Sequence, residues 1–385
     1  MKALSFSTSS PEDLKSKMTS ALSEINPTIG IAFSDPDFKI EAAVELFSEL
    51  GIQLFGCTTS GEICNRKLVE KSFTLLLVEL PEDSFLIHSI DGTPPNYIEP
   101  GAVIGNKAAE SFENPAILVY SAGVGVDGES IVKGIKSGIN KEIPIYGGLG
   151  GDNFKHENIR TFTDQVIRKN GLAALIIDSD RVAVNGKTYS GWNELGKTHT
   201  ITKAEGNVLL EVDDKPALDL FNKYFKGVEY RQNEGSEKLF TVPAIYPLKI
   251  KRENGVEFMR STLIYDFERK ALILAGAVKE GDRFKFCPTP SFDVVEATVE
   301  EFQRYAKRDI TPSALIMNSC AARHFAFGPM FDDEVEGIFN IWKKPMIGYM
   351  AYGEIGNTMD DEHCEFHNVT CSIVFLSENR QHATS

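Results

Sequence analysis

Asn26-Pro27-Thr28-Ile29-Gly30-Ile31-Ala32-Phe33-Ser34 is a proline-opened apolar run closing on a serine, and the chain writes it three times. Asn114-Pro115 opens a second such run, closing at Ser121, and Thr311-Pro312 opens a third, closing at Ser319. Each reads as a short buried strand. Each is followed by a helical stretch and then by a second strand that reaches glycine: Leu54-Phe55-Gly56, Ile145-Tyr146-Gly147 and Met346-Ile347-Gly348. A glycine-acid pair comes next, Gly61-Glu62, Gly151-Asp152 and Gly353-Glu354, and after it a further β-rich segment (Phe73 to Leu80, Leu172 to Ile177, Val369 to Leu376). The pattern predicts an α/β protein built from duplicated strand-helix-strand units. In open α/β sheets, ligands bind at the carboxyl ends of strands, so the serine-ended strands and glycine-acid loops predict a shared pocket.

At 385 residues the chain exceeds what one core usually supports, which predicts two associated domains of mixed sheets with helices. We place their border at residues 215/216, giving domains 1–215 and 216–385. A net charge of -15, with no stripe of Lys and Arg to offset it, repels phosphate backbones and anionic lipid, so nucleic acid is excluded as a partner. No apolar segment is long enough to span a bilayer and the start lacks a signal-peptide core, so the expected location is cytoplasmic, without membrane insertion. Six scattered cysteines (57, 64, 287, 320, 364, 371) without a CxxC pair are expected as reduced thiols.

Ser10-Pro11-Glu12-Asp13 is a helix start, and the spacing of Leu14, Met18, Leu22 and Ile25 predicts a helix from about Pro11 to Glu24. Further helices are predicted over Phe38 to Leu50, ended by Gly51, and over Glu129 to Asn140. A short helix should follow Pro216, one capped by Ser291 should carry Val294, Val295, Thr298, Phe302 and Tyr305, and a last one should run from Asp332 to Lys343. Thr188 to Asp214 and Phe240 to Lys279 read as strands, with a hairpin turn at Tyr265 to Arg269.

Four segments invite a chemical reading. Gly123-Val124-Gly125-Val126-Asp127-Gly128 has the spacing of a dinucleotide fingerprint, but no ribose-binding acid ends the following strand, so a tight turn is the preferred reading. Ser319-Cys320-Ala321-Ala322-Arg323-His324 sets two cations beside a thiol, which suits a nucleophilic Cys320 or a cysteine packed under a loop. His363-Cys364-Glu365-Phe366-His367 would spread its histidines over about 13 Å if extended, too far for one metal ion, so no metal site is expected. Glu62 and Glu354 either cap turns or face one pocket, where burial and like charge would raise a pKa.

With Gly56-Cys57-Thr58-Thr59-Ser60-Gly61-Glu62-Ile63, Ser190-Gly191-Trp192, Ser319 to Arg323, Gly348 to Gly356 and His367-Asn368-Val369-Thr370, the chain resembles the FIST family. The resemblance runs through an N-terminal FIST domain from about Thr28 to Leu210 and a C-terminal one from about Pro216 to Glu362. It implies an intracellular sensory module that binds a small ligand, with amino acids among those proposed, and signals through kinases, cyclases or other output proteins. It also implies an alternative, a haem-binding nitric-oxide sensor of a bacterial kind acting on a histidine kinase, for which His199 and His324 are the candidate haem ligands. An enzyme using Cys320 is the third reading. The expected ligand contacts are Cys57, Thr58, Glu62, Asp152, Asn153, Ser319, Cys320, Tyr352, Glu354 and Asn368. Arg323 is expected to be an anion clamp, because its planar fork suits a carboxylate.

Overall fold

Each proline-opened run becomes a strand because its residues must serve two cores at once. In Ile29–Ser34, Ile29, Ile31 and Phe33 point to one face while Gly30 and Ala32 lie under a helix on the other, where a Cβ on Gly30 would come within 2.5 Å of the Phe47 ring. The computed structural model describes residues 1–225, 246–288, 293–308, 311–359 and 363–379. Ser291 and the start of the Phe240 segment lie outside the described residues.

Three six-stranded sheets share one plan. In the first unit Ile29–Ser34 pairs in parallel with Gln53–Thr58 and antiparallel with Phe73–Val78, and Ala3–Thr8 covers the outer edge. In the second, Pro115–Ala122 stands between Ile145–Leu149 and Gly171–Asp178, with Phe85–Asp91 outermost. In the third, Ala314–Cys320 stands between Met346–Ala351 and Cys371–Glu378, edged by Val182–Tyr189. The three serines fall at equivalent strand ends: Ser34 faces Thr58 and Phe73, Ser121 faces Leu149 and Leu172, and Ser319 faces Met350 and Cys371. The duplication predicted from sequence is therefore real, and larger than predicted, because each unit also begins with its own edge strand and a helix.

Each sheet is completed by a neighbour. The short strand after the second glycine leaves its own unit and pairs elsewhere: Glu62–Cys64 joins the third sheet beside Met346–Ala351, Glu354–Gly356 joins the second beside Ile145–Leu149, and Thr161–Thr163 joins the first beside Gln53–Thr58. The exchange is cyclic. The recurring glycines serve the parallel pairing inside each unit, since a Cβ on Gly56, Gly147 or Gly348 would lie within 2.2 Å of the carbonyl oxygen of Ala32, Val119 or Met317 on the unit's own proline-opened strand. The exchange also corrects the place of Asp152 in the repeat. Ile63 faces Gly348, Ile355 faces Gly147 and Phe162 faces Gly56, so Glu62 and Glu354 match Thr161, not Asp152.

The inner faces of the three sheets form a common core, where Phe33, Tyr120 and Tyr349 meet with ring centroids 4.4 to 5.5 Å apart. Helices cover the outer faces. Pro11–Ala21 starts at the expected Ser10 cap, and Ile40–Leu50 ends on left-handed Gly51. Gly128–Ile139 packs closely on Ile98–Ser111, a helix not anticipated from sequence, through Gly101, Gly105, Gly134 and Gly138. Val294–Ala306 and Met330–Trp342 cover the third sheet.

Into the third unit, after its edge strand, is inserted an eight-stranded sheet that runs from Leu195–Glu205 to Arg283–Phe286 and packs on helix Ala217–Tyr224. Its hairpin turns between Thr262–Asp266 and Ala271–Leu274, as the sequence predicts. The insertion is tied to the second unit by buried Glu129, which accepts from Arg252 at 2.7 Å and Arg260 at 3.2 Å. Residue 215/216 falls within this insertion, in the pairing of Glu211 with Pro216.

Candidate functional site

The carboxyl ends of the parallel strands of all three units converge, and two adjoining cavities open between their loops. The apolar one, about 410 Å³, lies between the second unit's Gly123–Val126 and 149–159 loops, the third unit's Cys320 to Ala322, Ala351, Tyr352 and Asn368, and Ser261, Leu263 and Ala275 of the insertion. The other, about 480 Å³, is polar, with Asp35, Ser60, Glu70, Lys71, Asn153 and His324 in its wall. Phe154 and Phe325 line both, ring centroids 4.9 Å apart, and form the partition between them.

The loop that presents Phe154 is built by Asp152. Gly151 lets the chain pass where a Cβ would come within 2.6 Å of Ser60 Oγ. The Asp152 carboxylate then accepts the backbone N–H groups of His156, Glu157 and Asn158 at 3.0, 2.7 and 2.9 Å, and the Tyr352 hydroxyl at 3.0 Å. Burial alone would raise its pKa, but the three N–H donors and Tyr352 together hold it below the usual carboxylate range. Tyr352 Oη in turn accepts the Phe154 N–H at 2.6 Å. Inside this clasp Asn153, Phe154 and His156 all take left-handed backbone angles, with φ of 57°, 61° and 54°. Such angles cost L-residues energy and persist only where surrounding bonds impose them. Asn153 anchors the loop to the first unit, donating its side-chain amide to Asp35 Oδ2 at 3.1 Å and its N–H to Ser60 Oγ at 3.1 Å.

Of the residues expected at the site, Cys320, Tyr352 and Asn368 line the apolar cavity and Asn153 the polar one. Asp152 supports the wall from behind. Asn368 sits beside Val369, a β-branched residue at φ 53°, a second strained point at the cleft. The others are placed differently. Arg323 is no anion clamp: it is fully buried, paired with buried Glu334, and donates to Ser190 O, Val369 O and Thr298 Oγ1 between the Trp192 and Phe327 rings. Its fork is fully used inside the third unit.

Glu62 and Glu354 line neither cavity. Glu62 accepts from Thr59 Oγ1 at 2.5 Å and from Ser72 N and Oγ, and Glu354 accepts from Thr370 N and Oγ1 at 3.2 and 2.7 Å. Each acid thus ties the start of the strand it sends away to the residue just before its own unit's return strand. Desolvation by burial raises both pKa values to about 8, against the opposing pull of these hydrogen bonds. Of the two readings open for the glycine-acid pairs, the turn reading holds at both. Cys57 and Ser319 are buried at strand ends, and Thr58 accepts the Arg160 N–H at 2.8 Å, joining the second unit's loop to the first.

The Cys320 thiol is buried, and desolvation followed by the neighbouring Glu354 pushes its pKa well above the ordinary thiol value, which opposes a nucleophilic role. The two suggested haem histidines do not fit that ligation. Both ring nitrogens of His199 are engaged, Nδ1 with Asp213 at 2.8 Å and Nε2 with Tyr224 Oη at 2.7 Å, and His324 borders the polar cavity against Phe331. His367 bonds Gly356 O, and no His, Cys, Asp and Glu group among the described residues is arranged to hold a metal. The Gly123 to Gly128 turn opens helix Gly128–Ile139, but Asp127 caps its N-terminus and Glu129 stands in its first turn. Two carboxylates occupy the place a pyrophosphate would need.

Phe154, His156, Phe325, Leu263 and Asp35 were not anticipated. Phe325 is 41% exposed although large and apolar, and the sequence signal for it was the pair of phenylalanines around Ala326 on a loop-bound helix. For Phe154 and His156 the signal was the acid after Gly150-Gly151, read as a ligand group when it is a loop clasp.

Compared with known protein families, residues 28–215 match the FIST N domain and residues 217–357 match the FIST C domain. No curated protein matches the chain.

Proposed function

The chain belongs to the FIST family, which is associated with small-ligand sensing in signal transduction, and we propose that the two-chambered cleft is where this member takes its ligand. The observation carrying this reading is the strained, Asp152-clasped loop that holds Phe154 between the cavities, at the strand ends where α/β proteins bind ligands. The cleft draws walls from both matched segments and from the insertion, so occupancy would bear on how these parts pack. That is the arrangement a sensor needs, since a ligand can shift a conformational equilibrium only through contacts that differ between states. Binding without turnover fits the buried Cys320 thiol. The output partner is a separate protein, such as a histidine kinase or cyclase, and the setting is the cytoplasm, in keeping with six unpaired cysteines. No helix among the described residues is long and apolar enough to cross a membrane.

The test is thermal stabilisation of the purified protein by fractions of a metabolite extract. A ligand at a hundred times its Kd should add about 2.7 kcal/mol of stability. The gain should vanish in Ala275→Phe, which fills the apolar cavity, and its survival there would place the ligand elsewhere. A Soret band on haem addition, lost in His156→Ala, would replace this reading with a haem one, since His156 lines the apolar chamber.

A further inference from the structure

The apolar cavity pairs aliphatic walls with rings. Val124, Val126, Leu149, Ile159 and Leu263 supply aliphatic surface, and Phe154, Phe325, Tyr352 and His156 form a connected aromatic side, with Phe154 to Tyr352 and His156 to Tyr352 centroids each 5.2 Å apart. Among the described residues lining it, none is an Asp, Glu, Lys or Arg. We infer that the ligand of this cavity is an uncharged, ring-bearing apolar molecule, and not a free amino acid or another molecule carrying a full charge there. The inference rests on the cleft being the ligand site.

The charged groups nearest the cavity strengthen it, because each is committed elsewhere. The Asp152 oxygens accept four donors from its own loop and Tyr352. The Arg323 guanidinium, behind Cys320, is held by Glu334, two carbonyls and Thr298. Glu354 accepts from Thr370 and, with its pKa raised to about 8 by burial, is largely protonated at neutral pH. An ammonium or carboxylate entering the cavity would lose its hydration and meet no counter-charge in return. A neutral ligand meets what the walls offer: ring faces for stacking, and the Asn368 amide and Ser261 for one carbonyl or hydroxyl. The charges lie on the far side of the Phe154–Phe325 partition, with Asp35, Glu70 and Lys71. A charged head could reach them only by parting those rings.

The matched probes are N-phenyl-1-naphthylamine and its 8-sulfonate, which differ only in the anionic group, titrated by fluorescence at about pH 7, where Glu354 is largely protonated. The neutral dye should bind the full-length protein at least ~10-fold more tightly than the sulfonate. Ala275→Phe should remove that binding, and so should Val124→Trp, which narrows the exposed mouth and leaves the core untouched. If the sulfonate binds as tightly as the neutral dye and both are lost in the two variants, the cleft is the site and the ligand class is wrong. If neither dye binds, or the neutral dye binds both variants as it binds the parent, the cleft itself is not the site and the inference falls with it.

Discussion

Replacing Asp152 by Asn tests whether the clasp, and not the loop's own preference, shapes the cleft. The carboxylate's Oδ1 accepts from His156 N and Tyr352 Oη, while Oδ2 accepts from Glu157 N and Asn158 N. An amide keeps one acceptor and sets a donor against the other two N–H groups. Two hydrogen bonds to a charged group are worth ~1.5–3 kcal/mol each. Because Lys155 and Glu157 are exposed and water can reach the freed amides, the low end of the sum, about 3 kcal/mol, is the expected local cost. That is about two decades in an opening constant. The left-handed angle at His156 would then be the first to relax, because Asn153 keeps its bonds to Asp35 and Ser60 and Phe154 keeps Tyr352. Hydrogen exchange is the assay: the amides of His156, Glu157 and Asn158 should lose about a hundredfold protection, while those of the inner strands Ile29–Ser34 and Pro115–Ala122 should hold theirs. Acid should mimic the change in the parent protein. The folded pKa of Asp152 lies below its unfolded value, so its contribution is present above the unfolded value and is lost as pH falls through the folded one. Loop amides exchanging at the parent rate in Asp152→Asn would refute the clasp.

Arg323→Ala should cost about 3–5 kcal/mol of stability in urea unfolding by stranding Glu334, and adding Glu334→Leu should restore only part of it, since Ser190 O and Val369 O stay without their donor. An unchanged urea midpoint would contradict the structural role. Glu62 and Glu354, whose pKa values rise from 4.5 to about 8 on folding, give a stability that is complete below the unfolded value and lost as pH rises through about 8. Each can contribute a slope of up to ~1.4 kcal/mol per pH unit in that window, and Glu354→Gln should flatten urea-derived stability against pH, whereas an equally steep profile in the variant would assign the slope elsewhere. Cys320 should resist iodoacetamide in the native protein and react only on unfolding; rapid native labelling would reopen the nucleophile reading.

Much of the fold was legible because it repeats. Ser34, Ser121 and Ser319 were placed at equivalent strand ends from the proline-opened runs alone, and the caps at Ser10 and Gly51 marked helix ends by local chemistry that needs no tertiary information. What was hidden lies between units. The transferred strands Glu62–Cys64, Thr161–Thr163 and Glu354–Gly356 are three residues long, too short to show a period, and their partners lie in other repeats. The site was half legible for the same reason. Loop positions pointed to Tyr352, Cys320 and Asn368, but whether an acid or arginine faces a cavity or closes on itself depends on partners far along the chain. Glu334 for Arg323, Thr370 for Glu354 and the 156–158 amides for Asp152 could not be paired from spacing.

The cyclic exchange of strands carries a consequence for how the molecule comes into being. None of the three sheets is complete on its own stretch of chain: the first waits for Thr161–Thr163, the second for Glu354–Gly356, and the third takes Glu62–Cys64 from the first unit while its own edge strand Val182–Tyr189 is made long before the strands it borders. A ribosome that has released the first two hundred residues has made a second sheet with an open edge and two strands whose acceptor does not yet exist. Closure must await the last hundred residues, so assembly is delayed and nearly all-or-none, with the slow kinetics of long-range pairing. The same interlock means that loosening one seam pulls on the other two, which makes the ring of borrowed strands a natural conductor for whatever occupies the cleft at its centre.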